Sequence, residues 1–98
     1  MPQVTIVYWR DIPAQVIVGK GRGATKRPLP ERFEQAIDRA AMATGACDAD
    51  AYLAEWRRGP TRELDGMSEA IAADEIARLD QEYDPARLRA LVERGGRA

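Results

Sequence analysis

The first apolar pattern in the chain is "VTIVYWR" at residues 4–10, where Val4, Ile6 and Tyr8 alternate with Thr5, Val7 and Trp9. Both alternating sets are β-branched or aromatic, which predicts a strand covered on both faces and therefore central in its sheet. "RDIP" reads as a turn, and "AQVIVG" at 14–19 as the antiparallel partner, because so short a connection closes only a hairpin. Pro13 falls at the start of that partner, where a missing N–H is tolerated.

Glycines at 19, 21 and 23 predict a mobile loop over residues 19–28, ended by Pro28-Leu29-Pro30. Pro30 suits the first turn of a helix with Phe33, Ala36, Ile37, Ala40 and Ala41 at three- and four-residue spacing. Glu31 and Glu34 near its start and Arg39 nearer its end match the helix dipole, and Gly45 is a natural stop. "AYLAEWR" at 51–57 alternates Tyr52, Ala54 and Trp56 against Leu53, Glu55 and Arg57, which predicts a strand with one covered face. Gly59-Pro60 breaks it, and "TREL" reads as a short edge strand. Ser68 is placed to cap a second helix with an apolar stripe of Ala72, Ile76, Leu79 and Tyr83 and its carboxylates on the wet face. Asp84-Pro85 opens a third with Leu88, Leu91 and Val92, stopped by Gly95-Gly96.

The order β-β-α-β-(β)-α-α predicts a single α+β domain over residues 1–98. It would be a small, mainly antiparallel sheet of three or four strands with about three helices packed on one face. Length agrees, since 98 residues bury one modest core. No apolar run approaches the ~20 residues of a membrane span. The opening has no basic stretch leading into a long apolar one, and the single Cys47 allows no internal disulfide. The expectation is a soluble, cytoplasmic protein with no membrane association.

The formal charge of −1 offers no overall attraction for nucleic acid or anionic lipid, but its distribution is uneven. Lys20, Arg22, Lys26 and Arg27 form a run without an acid, whereas residues 65–84 hold seven acids against one arginine. The chain has no histidine. That removes Ser-His and Cys-His nucleophiles and histidine-ligated zinc, copper, haem or corrinoid. Cys47 is flanked by Asp48 and Asp50, whose charge raises a thiol pKa, so it reads as a packing thiol. Asp48, Asp50 and Glu55 lack the ligand number and turn glycine of a Ca²⁺ site. "GKGRG" lacks the full spacing of a phosphate-binding loop. No catalytic set and no cofactor are therefore expected.

Two features remain as candidate binding determinants. The basic run of Lys20, Arg22, Lys26 and Arg27 can dock an acidic surface, track a nucleic-acid backbone, or serve only as a solvated connector. The pairs Trp9-Arg10 and Trp56-Arg57 close two strands with the same dipeptide, and read either as one surface patch or as core tryptophans at strand ends.

Taken together, "VTIVYWRDIPAQVI", "LPERFEQAIDRAAM", "DAYLAEWRRG" and "LVERGG" resemble a small bacterial family known as "virulence factor", with "YWRDIPAQV" as the most specific block. The resemblance implies an accessory role in one-carbon metabolism. Members stand alone or attached to helical repeats, often encoded beside enzymes of folate- and corrinoid-linked methyl transfer. The corrinoid-binding Asp-x-His-x-x-Gly is absent from this chain, so such a role would be that of a partner to the cofactor-bearing protein. The expectation is a non-enzymatic accessory or adaptor domain binding another protein, with a nucleic-acid-binding module built on residues 20–27 as the alternative.

Overall fold

The central strand is β1 (Gln3–Trp9), as its two-sided apolar pattern predicts, and it turns through Arg10 and Asp11 into β2 (Ile12–Val18). The computed structural model describes residues 2–45 and 48–98, so the reading of Cys47 falls outside the described residues. Trp9 pairs with Ile12 across a two-residue turn, and an irregularity after Val7 leaves Ala14 as an extra residue in β2. Pro13, opposite Tyr8, sits beside this bulge, where its missing N–H breaks no ladder bond. Arg10 holds the turn at φ +54°, a left-handed conformation that costs a non-glycine residue about 1–2 kcal/mol. Offsetting contacts surround it. Its N–H donates to the Glu55 carbonyl, and its guanidinium donates to the Gly95 carbonyl at 2.7 Å.

β3 (Thr25–Pro28) pairs with β2, while β4 (Trp56–Arg58) and β5 (Arg62–Glu63) share the other side of β1. All pairings are antiparallel. Val4 lies opposite Val18 and Ile6 opposite Val16, and this face is buried against helices α1 (Glu31–Ala43), α3 (Ser68–Glu82) and α4 (Pro85–Glu93). Phe33, Ala36, Ile37, Ala40 and Ala41 are all buried, as their spacing requires. Asp84 accepts the N–H of Arg87 to start α4, and Gly95 and Gly96 end it with positive φ. The fold is α+β with an antiparallel sheet, as the element order predicts.

Four readings need correction. Residues 25–28 form an edge strand and Gly21–Gly23 a 3₁₀ turn, where the glycine spacing predicts a loop over 19–28. The backbone groups of β2 need partners, and this segment supplies them. Residues 49–54 form helix α2 (Ala49–Ala54), and only Trp56–Arg58 is strand. Asp48 caps that helix by accepting the Ala51 N–H at 2.9 Å, and the alanines and leucine inside it favour helix. Met67 rather than Ser68 is the N-cap of α3, without a side-chain bond. Glu75, assigned to the wet face of that helix, is buried and grips Arg62 of β5 and Arg78, each at 2.7 Å.

Candidate functional site

The face of the sheet turned away from the helical core carries a transverse row: Thr5 lies opposite Ile17, and Ile17 opposite Lys26. Ile17 is buried yet stands outside the core cluster, because it floors a cavity of about 510 Å³ on this face. Gln3, Thr5 and Thr61 line one wall, and Lys20, Arg22, Lys26 and Arg58 supply the charge. The Thr5 and Thr61 hydroxyls are 3.0 Å apart and share a hydrogen bond. Gly19, at φ +103°, turns the chain out of β2 and donates its N–H to the Gln3 carbonyl, so the basic turn folds over the basin. Among the described residues no acid lines the basin, and its cations have no ion-pair partner. It is a concentrated positive site in a chain of net charge −1.

The predicted basic run therefore divides. Lys20, Arg22 and Lys26 meet in the basin, while Arg27, alternating to the other face of β3, donates to both oxygens of Glu69 on α3 at 2.6 and 2.8 Å. Arg58 joins the basin from β4, where it lies opposite Val7. The alternation over 51–57 does not reach it, because the strand that presents Arg58 covers only Trp56–Arg58. The parity of Val7 with Thr5 would have found it.

The two Trp-Arg pairs do not form one exposed patch. Trp9 and Trp56 do lie opposite each other across β1 and β4, but Trp9 is fully buried. Its indole N–H donates to the Tyr52 carbonyl at 2.9 Å, and its ring stacks against Tyr52. Arg10 lies over the Trp9 ring and beside Glu55, with its Nε buried and without a hydrogen bond. Arg57 covers Tyr8 on the other face and pairs with Asp11 at 2.9 Å. The N–H of Ala98, together with Arg57 and Arg97, holds the Asp11 carboxyl below the usual range against a smaller push from burial. Arg10, Arg57 and Trp9 thus hold the hairpin end in place. Glu55 likewise serves Arg10 and Arg97, and Asp48 caps α2.

Trp56 is half-buried and borders a second cavity of about 270 Å³, lined by Ala14, Gln15, Pro28, Leu29, Glu34, Ile37 and Tyr52. Tyr52 and Trp56 form its aromatic corner, with centroids 5.8 Å apart and planes at 82°. Tyr52 continues into a neighbouring hollow with Asp38, Ala41 and the exposed Met42. Burial pushes the Tyr52 hydroxyl pKa up, and the carboxylates of Asp38 and Glu34 push it further. Gln15 and Pro28 stand two residues from Ile17 and Lys26, so this corner neighbours the basin along the same sheet face.

Residues 7–92 match the model of the family described as "Virulence factor". The chain belongs to that family. The match begins inside β1 and ends within α4, so it takes in β2 to β5 and the first three helices whole. Comparison with curated proteins and with solved structures returns no match. In this family member, no helix among the described residues is long and apolar enough to cross a membrane.

Proposed function

We propose that this domain is a non-enzymatic accessory that docks an acidic partner protein through the basin of Lys20, Arg22, Lys26 and Arg58. The observation that carries the proposal is that four cations, none of them in an ion pair among the described residues, ring one concavity without an acid. Arg10, Arg27, Arg32, Arg57, Arg62 and Arg78 are engaged in ion pairs, and the hollow beside α1 and α4 has only Arg39 and Arg89 unpaired among the described residues. A concave positive site focuses the field, which raises the rate of encounter with an anionic surface. Gln3, Thr5 and Thr61 add neutral hydrogen-bonding groups at short range for carboxylates. The finer part of the proposal is that the domain works in the cytoplasm and that its partner belongs to a folate- or corrinoid-linked methyl-transfer system. That part rests on what the family resemblance implies.

The alternative, backbone binding to nucleic acid by the same cations, lacks a stacking platform. Trp9 is buried, and no aromatic ring among the described residues lines the basin. Single-strand binders draw about 1–3 kcal/mol per base from such rings.

Affinity purification from the native cell supplies the partner, and association is then timed at low and high salt. Lys26→Glu with Arg58→Glu should slow association about tenfold or more at low salt and flatten its salt dependence. The melting temperature should hardly move. Arg27→Glu, which faces α3, should leave the association rate alone. Unaltered association of the double variant would sink the proposal. A micromolar complex with single-stranded DNA or RNA at physiological salt, lost in that variant, would transfer the basin to nucleic acid.

A further inference from the structure

The chain holds six aromatic rings, and four carry an arginine guanidinium over the face: Trp9 under Arg10, Phe33 under Arg32, Tyr8 under Arg57 and Tyr83 under Arg87. The distances to the ring centres run from 4.1 to 4.9 Å. Tyr52 and Trp56 are the two rings without one among the described residues, and these two meet at 82° around the same cavity. The lining of that cavity includes the Glu34 carboxylate and no basic residue, and Asp38 stands in the hollow on the other side of Tyr52. Perpendicular rings with a carboxylate beside them attract an organic cation twice over: the ring faces are electron-rich, and the acid offers a charge-assisted hydrogen bond.

We infer that the corner of Tyr52, Trp56 and Glu34 receives an arginine side chain from a partner protein. Charge complementarity selects the occupant: a largely apolar, aromatic hollow whose one charged lining residue is an acid is matched by a flat cation whose stem is apolar. Arginine fits better than lysine, because a planar guanidinium stacks on a ring while its edge still donates to a carboxylate. Pro28, Leu29 and Ile37 supply the apolar wall for its methylenes. The site adjoins the basic basin but shares no lining residue with it, and its test does not depend on what the basin binds.

The test is an NMR titration of the whole chain at low salt with N-acetyl-arginine methylamide, following the indole N–H of Trp56 and the ring protons of Tyr52. A saturable shift of both is expected. Glu34→Gln should weaken binding about threefold, the size of a single exposed charge contact. Trp56→Leu should abolish it, with the dispersed indole N–H of Trp9 reporting that this variant is folded; if it is not, Glu34→Lys serves in its place and should also abolish binding. No saturable shift at tens of millimolar probe overturns the inference. So does a shift that Glu34→Gln leaves unchanged, or tighter binding of N-acetyl-lysine methylamide.

Discussion

Gly96 rests against the ring of Trp9 so closely that a β-carbon on it would sit 3.0 Å from Cζ3 of the indole. Its φ of +88° is independently hostile to a side chain. The same turn carries the Gly96 carbonyl, which accepts the N–H of Asp11, and so locks the end of α4 to the β1–β2 turn. Gly96→Ala should therefore destabilise the fold by about 1–3 kcal/mol in urea melts, through backbone strain and crowding together. A change within ~0.5 kcal/mol would show that the indole yields.

Phe33 is the largest side chain that α1 buries, and it meets Tyr83 edge-on while Arg32 lies over its ring. Phe33→Ala should cost about 3–5 kcal/mol, the range for a deleted core aromatic. A loss under ~1 kcal/mol in the same melts would remove Phe33 from the core.

Glu75 is 6% exposed and ties β5 to α3 through Arg62 and Arg78. Burial pushes its carboxyl pKa up, but the bonds from the two guanidiniums outweigh this and hold it below the ordinary value. A carboxyl depressed in the folded state stabilises the fold above its unfolded pKa of ~4.3, and that contribution fades as pH falls through the folded value. Glu75→Gln should lower stability by about 1–3 kcal/mol at neutral pH. Its gap from the wild type should narrow in acid. A gap that stays constant from neutral pH to below pH 3 would refute the linkage.

The two tryptophans should differ in fluorescence. With Trp56→Phe, the remaining Trp9 emits from a fully buried site and should resist acrylamide. With Trp9→Phe, the half-buried Trp56 should be quenched several-fold more readily. Equal quenching of the two variants would contradict their assigned environments.

The central hairpin, α1 and the caps of α4 were legible because each rests on a strong local signal: two-sided β-branching, three- and four-residue spacing, and Asp-Pro followed by paired glycines. Tyr52 and Trp56 misled for a physical reason. Spaced four apart, they satisfy both a helical step and a strand alternation, and the capping Asp48 decides the matter through a bond to the Ala51 N–H. β3 was hidden because "TKRP" has no apolar periodicity; it becomes a strand through its pairing with β2. Three of the four predicted loop cations reach the basin, and Arg58 was missed along with the strand that presents it. Glu75 could not be placed from sequence, since its burial depends on Arg62 from a distant strand.

That short edge strand also limits how anything can join this sheet. Pro28 brings no N–H to a neighbour, and the Lys26 carbonyl already accepts a bond from the guanidinium of Arg27 at 2.9 Å. An incoming extended chain would find one end of the edge without a donor and an acceptor beside it already taken, with charged side chains on both faces. The β3 edge is thereby a poor template for strand-to-strand stacking at high concentration, and a partner that meets the sheet on this side is read through side chains rather than added as a further strand.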